Sequence, residues 1–210
     1  MENPVIILGA QTVGTTALDS FLSNDVVVYC LLDDNASLQN TELLDVPIMG
    51  NTDDKELLKL LGKKCEVFVA TEDTVSRRSL TNMLQEEYQA VPVNAIHQRA
   101  SVSQHAWLGH GNLVGANAVV AGTAKVGNGC LIGPNTVVDA RAELGDYAQL
   151  GAGAILNADV TVGEQAFIGA GAIVVAGVKI GNKARVGAGS VVVADVPANQ
   201  TVFGNPAAKV

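Results

Sequence analysis

The sequence predicts a two-part chain: an α/β half, followed by an all-β half wound as a parallel β-helix of about six coils. Three observations carry that prediction. A strict six-residue apolar repeat runs through the C-terminal half, strand and helix patterns alternate through the first 95 residues, and the composition changes where the two meet. The 210 residues are 48% apolar but only 4% aromatic, and 22 are Gly. That length is ample for a buried core, which with so few rings must be built from Val, Ile, Leu and Ala.

Residues 1–95 carry 15 acidic and 6 basic side chains, whereas 96–210 carry 6 and 7, so the formal net charge of −8 belongs almost wholly to the first part. The expected domains are therefore 1–95 and 96–210. An acidic chain without a basic stripe argues against nucleic acid and anionic membrane as partners. No apolar run approaches the ~20 residues of a membrane span, and the N-terminus lacks the basic-then-apolar order of a secretory leader. Cys30, Cys65 and Cys130 are odd in number and far apart, without a CxxC pair, so neither a disulfide framework nor a zinc site is expected. The expectation is a cytoplasmic protein.

In the first part, Pro4 to Leu8 reads as a strand, followed by Gly9-Ala-Gln-Thr-Val-Gly14 and a helix to Phe21. Val26 to Leu32 is a second strand ending in Asp33-Asp34-Asn35. A helix over Asp53–Leu61, a strand over Val67–Ala70 and a helix over Val75–Tyr88 complete an order that predicts a Rossmann-like half-domain with a parallel sheet. Gly9 and Gly14 can admit a phosphate to a helix N-terminus, or simply make a tight turn, since Gln11 breaks the full glycine fingerprint. Asp33 and Asp34 stand at the strand end where a ribose or base edge is commonly read; a solvated turn explains them equally. Arg77 and Arg78 open the last helix, where one of them can offset the acidic surroundings of a bound phosphate or both can be solvated helix charges.

In the second part, stepping by six from Ile96 to Val192 meets only Ile, Leu or Val at all 17 positions, with no insertion. The next residue is Gly in 10 of the 17 hexads and the fifth is Ala in 10. A period of six suits short strands joined by tight corners, three hexads closing a triangular coil of 18 residues. A disordered glycine-rich segment would keep no apolar period.

The Leu32-Asp-Asp34 strand end, the Pro47-Ile-Met-Gly50 element, the Ile96-His97 entry to the repeat and the Gly204-Asn-Pro206 terminus together resemble the hexapeptide-repeat sugar O- and N-acyltransferases of the sialic-acid and bacillosamine type. The resemblance covers essentially the whole chain. It implies a left-handed helix, homotrimers, a UDP-sugar-like nucleotide sugar at Gly9, Gly14, Asp33 and Asp34, and acetyl-CoA or another acyl-CoA along Gln149, Gly151, Ala158, Lys179, Lys183 and Arg185. It also implies a His acting as general base, and here the chain departs from the family. Ala140, within Val138-Asp-Ala-Arg-Ala-Glu143, stands where that base belongs, and Gln149 stands where many relatives have a second His. Asp139 beside the gap is the remaining candidate catalytic group, although a carboxylate with a pKa near ~4 is poorly matched to the task and a plain corner carboxylate is the other reading.

The implied activity is acyl transfer from acyl-CoA to an amino or hydroxyl group of a nucleotide-linked sugar. A trimeric relative that binds ligand or scaffolds without catalysis is the alternative. His105 and His110 have the spacing of the γ-class carbonic anhydrases, but Val69 stands where their third ligand would be, and catalytic zinc needs three. No metal is expected.

Overall fold

The computed structural model describes residues 3–210. Met1 and Glu2, on which part of the expectation about a leader rests, lie outside them. The chain divides into two compact units, one up to Gln98 and the other from Arg99 to Val210.

In the first unit the elements are β1 (Val5–Leu8), α1 (Thr12–Leu22), β2 (Val28–Leu32), β3 (Glu42–Leu43), β4 (Val46–Gly50), α2 (Lys55–Leu58), β5 (Glu66–Val69), α3 (Thr74–Tyr88) and β6 (Ala95–Ile96). The sheet runs in the order β3-β4-β2-β1-β5. All its pairings are parallel except β3 with β4. Strands buried on both faces need continuous apolar runs, and Val5-Ile-Ile-Leu8 supplies one with every residue buried. On one face Ile6, Leu8, Cys30, Leu32, Val67 and Val69 pack with Leu58, Leu61 and Leu84 of the following helices. On the other, Phe21 of α1 meets Phe68 of β5 edge to face, ring centroids 5.8 Å apart.

Two elements differ from the sequence expectation. The helix expected over Asp53–Leu61 is only the single turn Lys55–Leu58, because Asp54 caps it by accepting from the Glu56 and Leu57 amides and the chain then tightens into turns. The Val46–Gly50 segment is a full strand, Pro47 being tolerated because it stands ahead of Ile48, where the pairing with β2 begins.

The second unit is a stack of two-residue strands recurring every six residues from Ser101–Val102 to Val191–Val192, closed by the antiparallel hairpin Thr201–Gly204 and Ala207–Lys209. Every strand pairs in parallel with the one 18 residues away, giving three faces. The second residue of each strand points inward: Val120, Val138, Leu156 and Val174 on the first face, Val126, Leu144 and Val162 on the second, and Val114, Ile132 and Ile168 on the third are all buried. The small fifth residue of the hexad, Ala118, Ala124, Ala142, Ala154 or Ala172, is wholly buried at the corner between faces. This is a parallel β-helix with an aliphatic core, and no ring is needed at its axis.

Among the described residues no helix is long and apolar enough to cross a membrane. Nor, among the described residues, is any group of three or more His, Cys, Asp or Glu placed to hold a metal ion.

Candidate functional site

Ligands of open parallel sheets bind at the carboxyl ends of the strands. There the first unit has a cavity of about 360 Å³ whose lining includes Gly9, Gln11, Asp33, Asp34, Thr52, Glu72 and Asp73. A larger cavity, about 770 Å³, lies at the amino ends of the strands against Val5, Val26 and Glu66, and none of the candidate residues lines it. The chemistry points to the smaller one.

Its walls are fixed by side chains that bond to backbone. Asp33 is 5% exposed. Its Oδ2 accepts from the Ala10 amide at 2.8 Å and its Oδ1 from the Asn35 amide at 2.9 Å, so it ties the glycine loop to the end of β2. Asp34 accepts from the Thr52 amide at 2.8 Å and from the Thr52 hydroxyl at 3.0 Å, joining β2 to the segment after β4. Asp73 caps α3 by accepting from the Ser76 amide at 2.7 Å, and hydrogen bonding to Ser76, from its side chain first and then from that amide, holds the carboxyl below the usual range. Gly9 has a φ of +113°, and a Cβ there would run into the Ala70 carbonyl; its glycine character is a requirement of the turn. Gly14 does not line the cavity. It lies in α1, where a Cβ would collide with the Gly9 carbonyl, so it permits the loop to sit on the helix.

Arg77 does not face a phosphate. It is 1% exposed, and its guanidinium donates to the carbonyls of Thr71 and Glu72, holding the loop after β5 from below. The cavity wall thus presents four carboxylates and no cation. Hydrogen-bond donors of a base or ribose suit it, and a diphosphate does not. A neighbouring cavity of about 640 Å³ is different: Ala10, Gln11, Thr12, Thr15, Thr16, Asn35 and Leu38 line it without a charge. It opens at the N-terminus of α1, which has no acidic residue in its first turn and no side-chain cap bond from Gln11. Free amides and the helix dipole there favour an anion. Gln11 and Asn35 border both cavities, so one elongated ligand can place its donors in the first and its phosphates in the second.

On the β-helix the structure separates the other candidates. Asp139, Ala140 and Ala158 share the corner between the first and second faces, Ala158 one coil beyond Ala140. Gln149 and Arg185 lie on the third face with Phe167 between them. Arg185 is stacked over that ring at 4.7 Å. Gly151 begins the next corner, Lys179 lies on the second face and Lys183 on the corner that follows it. Within one chain these groups therefore form no single pocket. Asp139 turns back on its own backbone, Oδ1 accepting from the Ala140 amide at 2.7 Å. Arg141 makes a two-point ion pair with Asp159 one coil away, at 2.6 and 2.7 Å. That contact holds the Asp159 carboxyl below its ordinary range and the guanidinium above its own. Sequence reasoning missed the Asp33 tether and the Thr52 anchor, which join positions with no periodic relation; the 18-residue spacing could have found the Arg141–Asp159 pair.

The family model described as the GMPPB C-terminal domain matches residues 114–208. No curated protein matches the chain. Among solved structures, GDP-perosamine N-acetyltransferase from Caulobacter crescentus, in a variant with one histidine replaced by alanine and in complex with CoA and GDP-perosamine, is similar at 33% identity and a TM-score of 0.91. The similarity covers 100% of this chain and 98% of that one. A His-to-Asn variant of the same enzyme gives the same figures. The acetyltransferase domain of PglB from Neisseria gonorrhoeae, in complex with acetyl coenzyme A, is similar at 27% identity and a TM-score of 0.91, over 100% of both chains.

Proposed function

Because the chain belongs to the hexapeptide-repeat sugar N-acetyltransferases, we propose that it transfers an acyl group, acetyl in the first instance, from acyl-CoA to a nucleotide-linked sugar. The observation that carries this reading is the relative whose histidine has been replaced by alanine and which still holds both CoA and GDP-perosamine. That relative and this chain are alike over essentially their whole lengths, and the relatives compared are enzymes, which favours an enzyme over a scaffold.

In this reading the first unit, a Rossmann-like domain, takes the nucleotide. Asp33 keeps the Gly9 loop closed on β2, the acidic cavity accepts hydrogen bonds from base and ribose, and the neutral cavity at α1 receives the phosphates. The β-helix, left-handed and close to six coils in this reading, takes the acyl donor along Gln149, Gly151, Ala158, Lys179, Lys183 and Arg185. Those residues lie on different faces of one prism, so a donor bound by all of them lies between neighbouring prisms, which in this reading are those of a homotrimer. The first face supports this arrangement: its outward positions Val119, Val137, Ile155, Ile173 and Val191 form an unbroken aliphatic ladder. The second face carries Lys125, Glu143 and Lys179 instead. Such an enzyme works where acyl-CoA and nucleotide sugars occur together, in the cytoplasm.

Titration calorimetry with acetyl-CoA and with GDP- and UDP-linked amino sugars tests the reading. Saturable binding of the donor and of at least one sugar is expected; no heat from either overturns it.

A further inference from the structure

A buried cation lies beneath the acidic cavity of the first unit. Arg77 is 1% exposed, and a buried charge is costly unless it is paired and hydrogen-bonded. It also stands in the first turn of α3, where the helix dipole opposes a positive charge. What it gains there is a run of three carbonyls. Its Nη1 donates to the Thr71 carbonyl and, at 3.1 Å, to the Glu72 carbonyl, while its backbone amide donates to the Asp73 carbonyl at 2.9 Å. Thr71, Glu72 and Asp73 all line the cavity, and Arg77 does not.

That bonding sets the direction of the loop's peptide units. The C=O and N–H of a trans peptide point opposite ways, and the bond between Glu72 and Asp73 is trans. With the Glu72 carbonyl drawn to the guanidinium on the side away from the cavity, the Asp73 N–H is turned to the cavity side. Among the described residues this amide has no acceptor within the chain. A backbone N–H left open on a site wall is an obligatory donor, suited to a ligand's carbonyl or hydroxyl oxygen. We infer that Arg77 is a positioning residue of the nucleotide site: by gripping the carbonyls of Thr71 and Glu72, it aims the Asp73 amide at an acceptor oxygen of the bound nucleoside. This rests on the proposed acyltransferase reading and adds a donor to a wall whose charged groups are all acceptors.

The test measures binding of GDP and UDP to the full chain by titration calorimetry, with acetyl-CoA as the control ligand, for the parent, Arg77→Met and Arg77→Lys. Methionine fills much of the volume but donates nothing, so the released peptide units can rotate. Whichever nucleotide the parent binds should bind Arg77→Met roughly 10- to 100-fold more weakly, with acetyl-CoA affinity unchanged. Both guanidinium bonds leave from one nitrogen, so an ammonium with three donors can replace them, and Arg77→Lys should recover most of the loss. A role confined to stability would lower the thermal midpoint of the variants and leave the nucleotide affinity of the folded protein as it was. Hydrogen exchange read by NMR gives the direct signature: the Asp73 amide should exchange freely in the unliganded parent and slow by at least about tenfold under saturating nucleotide. Equal nucleotide affinity in the parent and a folded Arg77→Met would overturn the inference. So would an Asp73 amide whose exchange bound nucleotide does not slow, a result that stands even where Arg77→Met fails to fold. Binding of neither nucleotide by the parent is a different outcome, and it strikes the acyltransferase reading together with the inference.

Discussion

The two units hold their residues in place by different rules. In the β-helix the side-chain contacts that join one coil to the next recur between residues 18 apart: Lys125 with Glu143, Arg141 with Asp159, Asn117 with Asn135, the Asn128 amide with Asp146. In the α/β unit the contacts that shape the cavity join Asp33 to Ala10, Asp34 to Thr52 and Arg77 to Thr71, with no common interval. The first kind of structure spreads its stability over equivalent coils. The second concentrates it in a few tethers, each of which also shapes the binding cavity.

Substitutions in the two units should therefore separate stability from function. The largest effect on stability is expected from Ile132→Ala, a wholly buried anchor of the third face. It should cost ~2–5 kcal/mol in urea unfolding while leaving the amide-exchange protection of the α/β unit unchanged. Loss of protection in both units together would mean that they unfold as one.

Asp33→Ala comes next. It leaves the Ala10 amide buried without its acceptor, a cost of ~1–3 kcal/mol, and should abolish calorimetric binding of the nucleotide sugar while acetyl-CoA binding persists. Retained nucleotide binding would show that the loop tether is dispensable.

Glycines sharpen the contrast further. A Cβ on Gly169 would lie 2.5 Å from the Ala188 amide nitrogen of the adjacent coil, so Gly169→Ala should destabilise by ~1–3 kcal/mol. Gly62, at a φ of +68°, has nothing near its missing Cβ. Gly62→Ala should thus cost only the backbone term of ~1–2 kcal/mol for a left-handed conformation, and a larger thermal shift for Gly62→Ala than for Gly169→Ala would contradict the close-packed corners.

The smallest effect near neutral pH concerns Cys30, whose thiol is pushed up to about 12, first by burial and then by the nearby Cys65. The unfolded chain loses this proton from about pH 9, its ordinary range, whereas the folded chain keeps it. Stability from this group is complete below pH 9 and falls as pH rises from there toward 12. Urea midpoints at pH 8 and 10.5 should fall apart less in Cys30→Ala than in the parent chain.

The same contrast explains what the sequence could reveal. The anchors from Val102 to Val192, the faces they make and the small corner residues were all legible, because each repeats its neighbour's environment every 18 residues. The strands and long helices of the first unit were legible from their apolar patterns, with ends displaced by a residue or two. Three features were not. The short α2 depends on the Asp54 cap, the β4 strand carries a Pro that argues against it locally, and the inward position of Arg77 depends on carbonyls of Thr71 and Glu72. The charge of the candidate cavity was half legible: Asp33 and Asp34 were named from the strand end, but only folding brings Glu72 and Asp73 to the same wall.

The central claim is that this chain acylates the amine of a nucleotide-linked sugar. Mass spectrometry of GDP- and UDP-linked amino sugars incubated with isotopically labelled acetyl-CoA and the full chain tests it most directly. The account predicts one labelled acetyl group on the amine of at least one sugar, with a matching release of CoA thiol, and no product without the protein. Recovery of every sugar unmodified under conditions where calorimetry shows both substrates bound would contradict it.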